Sequence, residues 1–214
     1  ASAGPVLTKD SVTDVRAAFV ADPFMLQHDG TWHMLFEVMN AETNQGEIGL
    51  ATSSDALSWT YRHIVLREPF HLSYPYVFEW QSEYYMVPET IYAGTISLYK
   101  ADEFPARWSC IASLMPGHFA DPTLFRYADR WWMFACPTPY QHDTLHLYFA
   151  SELSGPWTPH ARSPLIRNDK RRARPAGRIL EFDNNSAALK GQLCSSRLFF
   201  DGRKAPARNQ NSPV

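Results

Sequence analysis

The feature that most constrains this chain is a repeated hairpin. Residues 118–136 read HFADPTLFRYADRWWMFAC, two short runs rich in aromatic and apolar residues on either side of Ala128-Asp129. That dipeptide sits where a two-residue loop belongs, so the stretch predicts a β-hairpin. The unit recurs upstream as ADPFMLQHDGTWHMLFE at 21–37, with the strong turn pair Asp29-Gly30, and as SYPYVFEWQSEYYMVPE at 73–89. A fourth start, ARPAGRIL, begins at Ala173.

The residues before the recurring prolines are Asp22, Tyr74, Asp121 and Arg174, separated by 52, 47 and 53 positions. Near-constant spacing of this size implies a stacked or circular repeat. The second half of each period repeats too, as GEIGLATSSDALSW from Gly46, GTISLYKADEFPARW from Gly94 and DTLHLYFASELSGPW from Asp143. Each copy ends on a tryptophan, Trp59, Trp108 or Trp157, and a run such as TYRHIVL follows. Four strands per period make a propeller blade, so the expected class is all-β. A ring of four or five such blades needs roughly 190–250 residues.

The spacing places blade one at about 22–67, blade two at 74–115 and blade three at 121 to about 167, with short linkers between them. About three blades are well formed, with the start of a fourth. Residues 1–11 read as a flexible lead-in, 12–182 as the propeller, and 183–214 as a degraded blade with a polar tail expected to be disordered. Residues 12–20 are expected to supply one strand, and Asp183-Asn184-Asn185 a turn. The open edge of an incomplete ring invites pairing with another chain or a missing segment.

Composition bounds the function. A content of 45% hydrophobic residues in 214 supports a packed core, and a formal net charge of −2 provides no global field to recruit nucleic acid or an anionic membrane. No run approaches the ~20 apolar residues of a membrane span. Cys110, Cys136 and Cys194 are odd in number and lack a CxxC pair, which reads as buried free thiols and favours a reducing compartment such as the cytoplasm. No Gly-rich phosphate loop, HExxH or GxSxG motif is present, so no cofactor or metal is expected.

In a propeller the first strand of each blade lines the axis, so Asp22, Tyr74, Asp121 and Arg174 should converge on one mouth. An Asp29-Gly30 turn sets Asp22 opposite Glu37; by the same register Tyr74 faces Glu89 and Asp121 faces Cys136. His71 and His118 stand three residues before Tyr74 and Asp121, where blade one has Phe19. Several carboxylates around an aromatic mouth suit glycosidic bond cleavage, which needs one protonated acid and one carboxylate base or nucleophile. Tyr74, Tyr76, Trp80 and Tyr84-Tyr85 are candidate sugar platforms.

Plainer readings stand beside these. An Asp before Pro often accepts local backbone hydrogen bonds, and His71 and His118 suit packing roles. Trp32, Trp131 and Trp132 suit the core between blades. The basic run containing Lys170, Arg171, Arg172, Arg174 and Arg178 reads as a solvated loop or as a site for a phosphate or acidic sugar.

At ADPF, SYPYVFE, YYMVPET, HFADPTLF and ARPAG the chain resembles the five-bladed propellers of glycoside hydrolase families 32, 43 and 68. Within that superfamily it is most similar to the propeller at the N-terminus of glucosamine inositolphosphorylceramide transferases. The resemblance covers residues 19–180 and implies a five-bladed-type β-propeller, incomplete in this chain. In family 43 the Asp opening blade one is the general base and an Asp opening a later blade tunes its pKa, which implies those roles for Asp22 and Asp121. The general acid there is a Glu from a later blade; here Arg174 opens the fourth, and Glu89 is the substitute.

Two functions follow as expectations. One is a glycosidase using Asp22, Asp121 and Glu89, with Glu37, His71, Tyr74, Tyr76, His118 and Arg174 around the substrate. The other is a non-catalytic glycan or sugar-phosphate binding domain of a longer protein.

Overall fold

The computed structural model describes residues 6–182 and 188–191. It contains three four-stranded antiparallel blades, each meandering outward from an inner strand. Blade one is β1 (Ala17–His28), β2 (Thr31–Asn40), β3 (Gln45–Ser53) and β4 (Thr60–Leu66). Blade two is β5 (Ser73–Trp80), β6 (Glu83–Glu89), β7 (Thr95–Glu103) and β8 (Arg107–Pro116). Blade three is β9 (Ala120–Tyr127), β10 (Arg130–Cys136), β11 (His146–Ala150) and the short β12 (Thr158–Pro159). A two-stranded ribbon, β13 (Ile179–Phe182) with β14 (Ala188–Gly191), follows. The described residues thus form an all-β propeller fold of three four-stranded blades followed by a two-stranded ribbon.

The inner hairpins turn where the sequence places them. His28 pairs with Thr31, Trp80 with Glu83 and Tyr127 with Arg130. Both residues of every turn have positive φ: Asp29 and Gly30, Gln81 and Ser82, Ala128 and Asp129. Two left-handed residues twist a hairpin in the same sense as its strands, which is why two-residue loops of this kind connect them.

The register above the turns differs from the expected one. Ala21, not Asp22, pairs with Glu37; Ser73, not Tyr74, pairs with Glu89; Ala120, not Asp121, pairs with Cys136. The cause is a β-bulge at each X-Pro pair. Asp22-Pro23, Tyr74-Pro75 and Asp121-Pro122 each set two residues opposite one, and the residue before each proline has φ of 49°, 48° and 52°. A non-glycine residue in that region is strained by about 1–3 kcal/mol, so three such positions at one end of the molecule mark it.

Other boundaries shift as well. Only the last part of 12–20 is strand, since β1 starts at Ala17. Upstream, Lys9–Ser11 form a 3-10 turn and Val12 is buried. Arg174 does not open a strand: it lies in the turn before β13. Cys110 is exposed rather than buried, whereas Cys136 is buried. Cys194 and the turn at Asp183-Asn184-Asn185 lie outside the described residues.

Alternation along each strand gives every blade two apolar faces. The main core lies between the blades, with Leu35, Ile48 and Leu50 from blade one, Val77, Met86 and Leu98 from blade two, and Leu124, Met133 and Ala135 from blade three. The opposite face of blade one, Met34, Phe36 and Val38, packs beneath Leu7, Val12 and Val15 of the leading segment. Asp14 holds that segment by accepting hydrogen bonds from the Tyr61 hydroxyl and the Ile64 amide at 2.5 and 2.8 Å. The far face of blade three, Phe134 and Leu147, is covered by Leu165, Ile166 and Ile179.

Candidate active site at the axial mouth

The three bulges turn the ends of β1, β5 and β9 so that their side chains and amides meet. Asp121 is 3% exposed. Its carboxylate accepts two hydrogen bonds from Arg174, Nε at 2.5 Å and Nη2 at 2.7 Å. This two-pronged geometry is the strongest form of carboxylate pairing. Arg174 Nη2 also lies 3.7 Å from Glu89 Oε2. Burial works against the Arg174 charge, but the Asp121 hydrogen bonds and the charges of Asp121, Glu89 and Asp22 outweigh it and hold the guanidinium firmly protonated.

Glu89, at the end of β6, is 8% exposed and has both carboxyl oxygens engaged. Oε2 accepts the backbone N–H of Asp121 at 3.0 Å, and Oε1 accepts the Ser73 hydroxyl at 3.1 Å. Burial, followed by the Asp121 charge, raises its pKa to about 7. The bulged backbone of blade three is thus fastened to blade two. The bulge of blade two is fastened to blade one in the same way, because the Tyr74 amide donates to the Asp22 carboxylate. Burial and then Asp121 raise the pKa of Asp22, while Arg174 and that amide oppose the rise.

Glu37, near the end of β2, is 5% exposed. Its Oε1 lies 3.5 Å from His71 Nε2, while His71 Nδ1 accepts the Gly46 amide at 2.8 Å. With Nδ1 accepting, the ring proton of neutral His71 sits on Nε2, facing Glu37. Burial lowers the His71 pKa and keeps the ring neutral. Burial, then Asp22 and Glu89, push Glu37 to about 8. Near neutral pH the cluster therefore carries a protonated Glu37, and burial shifts Glu89 toward its protonated form as well.

The remaining candidates have structural settings. Tyr74 is buried, its hydroxyl joined to Thr123 Oγ1 and to the Gly177 amide, each at 2.8 Å; this ties the Arg174 turn to blades two and three. Tyr76 is also buried, and its hydroxyl donates to the Leu124 carbonyl. Both are core residues. His118 Nδ1 lies 2.8 Å from the Ile91 carbonyl, holding the β6–β7 turn as His71 holds the β2–β3 turn. Two residues had no signal in the sequence: Ser73, one position before the bulge, and His142. The latter has φ of 56° and a buried Nδ1 with no partner. Burial and Arg174 lower its pKa, with Asp121 opposing. Among the described residues no group of three or more His, Cys, Asp or Glu side chains is placed to hold a metal ion. None of their helices is long and apolar enough to cross a membrane.

Blades of this topology define a β-propeller, with a carboxylate cluster where its inner strands begin and their hairpin partners end. Solved structures agree on the fold. An exo-beta-1,3-galactanase from Clostridium thermocellum superposes with a TM-score of 0.70 at 14% identity, over 86% of this chain and 43% of that one. The catalytic domain of a GH62 alpha-L-arabinofuranosidase from Coprinopsis cinerea gives 0.67 at 17% identity, over 85% and 62%.

Residues 1–198 match the family described as "Glucosamine inositolphosphorylceramide transferase 1, N-terminal", and the chain belongs to that family. It is 36% identical over 201 residues to glucosamine inositolphosphorylceramide transferase 1 of Oryza sativa subsp. japonica, covering 90% of this chain. Identity to the protein of the same name from Arabidopsis thaliana is 33% over 199 residues. The chain spans only 27% and 26% of the length of these two relatives.

Proposed function

We propose that this propeller binds a saccharide at its axial mouth without cleaving it, within the work of a longer glycosyl-transferring protein. The observation that carries this reading is the commitment of two of the three carboxylates assigned to catalysis. Asp121 is locked to Arg174, and both Glu89 oxygens already accept internal hydrogen bonds. Glu89 is therefore poorly placed to hand a proton to a leaving group. Asp22 and Glu37 are left to meet a ligand. Because Arg174 is already paired, the mouth favours a neutral or amine-bearing sugar over a sugar phosphate. The name of the curated relatives, which mentions glucosamine, fits that preference.

Hydrolysis is the second reading, and one observation favours it. Glu37 combines a pKa raised to about 8 with a carboxyl that meets His71 only at 3.5 Å, so Glu37 rather than Glu89 would be the acid and Asp22 the base. Calorimetric titration of glucosamine and galactose, run beside a product-release assay on aryl glycosides, separates the two. Binding weakened at least tenfold in Asp22→Asn, with no product from either protein, is expected. Product released by the wild type and lost in Asp22→Asn would replace binding with catalysis.

A further inference from the structure

At the end opposite the mouth, a cleft of about 520 Å³ opens between blades two and three. The chain contains its own comparison for this cleft, because the boundary between blades one and two is built from equivalent positions. There, blade one presents His28, the last residue before its hairpin turn, and His33, the third after it. Blade two answers with Tyr84 and with Phe104, which stands four residues before Trp108. Phe104 plugs that boundary: it stacks on Tyr84 at 3.9 Å between centroids and meets the edges of His28 and His33 at 5.4 and 5.1 Å.

Between blades two and three the same positions hold Trp80, Tyr85, Trp131 and, four residues before Trp157, Leu153. All four line the cleft. A leucine lacks the ring that fills the first boundary, and the space stays open. The loop itself is also set differently. Trp59 and Trp108 donate their indole N–H to the carbonyls of Ala56 and Pro105, at 3.2 and 2.9 Å, whereas the Trp157 N–H is buried with no partner.

We infer that this cleft is a second ligand site and that its ligand is a neutral saccharide. Its volume falls within the range of small-molecule sites, ~300–1,000 Å³. Trp80 and Tyr85, both half-buried, offer aromatic surface to the C–H face of a sugar ring, over a floor formed by the buried Trp131. The rim supplies the amide of Gln81, the hydroxyls of Ser151 and Ser154 and the carboxylates of Asp129 and Glu152, groups that donate to or accept from sugar hydroxyls. Arg126 lies over the Trp80 ring at 4.6 Å and 3.6 Å from Asp129, so it fixes that wall rather than standing free for an anion. One arginine against two carboxylates leaves the rim acidic and disfavours phosphate or acidic sugars. The inference does not depend on what the mouth does.

The test uses the whole chain labelled with 15N-tryptophan, whose seven indole signals are assigned by single substitution and titrated with galactose and with β-1,3-linked galactobiose. Saturable shifts at Trp80 and Trp131 are expected with at least one probe. They should disappear in Leu153→Phe, which restores the plug, and persist in Asp22→Asn. Glu152→Ala, at an exposed position, should weaken binding about tenfold, as loss of one hydrogen bond to a charged group does. The free variants should keep the wild-type signals of Trp59, which marks an intact fold. Absence of saturable shifts with both probes overturns the inference. So does binding of wild-type strength in a folded Leu153→Phe or in Glu152→Ala, and so do shifts lost in Asp22→Asn but kept in both cleft variants.

Discussion

Replacing Glu37 with glutamine should stabilise this protein at alkaline pH and leave it unchanged in acid. Glu37 is 5% exposed, and burial together with Asp22 and Glu89 raises its pKa from 4.5 to about 8. Below pH 4.5 the folded and unfolded chains both hold the proton. Between 4.5 and about 8 the unfolded chain loses it while the folded one keeps it, so stability falls as pH rises; above about 8 the loss is complete. At 1.36 kcal/mol per pH unit the ceiling is about 5 kcal/mol. Water entering the mouth lowers the effective cost, and about 2–4 kcal/mol is the expected size. Glutamine mimics the protonated acid and removes the titration. Urea unfolding of wild type and Glu37→Gln from pH 4 to pH 9 should show curves that coincide at the acid end and diverge by that amount in base. A constant offset across the range, or a gain below about 0.5 kcal/mol at pH 9, would refute the assignment of a buried proton to Glu37.

Two further predictions address the supports of the site and of blade one. Arg174→Met leaves the Asp121 carboxylate buried without its partner and should cost about 2–3 kcal/mol by urea unfolding, below the usual range for a buried pair because Arg174 is 40% exposed. Asp14→Ala removes both hydrogen bonds that hold the leading segment on β4. It should cost about 1–2 kcal/mol and speed amide exchange across residues 6–16 while blade two stays protected.

The blades were legible because their signals are local: the turn pairs, the alternation and the closing tryptophans each act within a few residues. The convergence of Asp22, Glu37, Glu89 and Asp121 followed from repeat spacing, since equivalent strand starts share one end of a propeller. What sequence could not give was the bulge. The proline marks it, but whether the preceding residue takes a left-handed turn depends on contacts from the preceding blade, such as the Asp121 amide on Glu89. The same holds for Arg174, which reaches Asp121 from a turn rather than a strand. Tyr74 and Tyr76 carry no mark in sequence that separates a sugar platform from an inter-blade bolt; burial alone decides it. The open cleft depends on a difference of one residue, phenylalanine against leucine, that matters only when two blade boundaries are compared.

The segment laid over Met34, Phe36 and Val38 gives blade one a cover of its own. Whatever else stacks on that side must rest on this segment or displace it. A further blade stacked on that side would therefore meet the segment fastened by Asp14 rather than the bare sheet. The amides of residues 6–16 would report whether the segment stays in place.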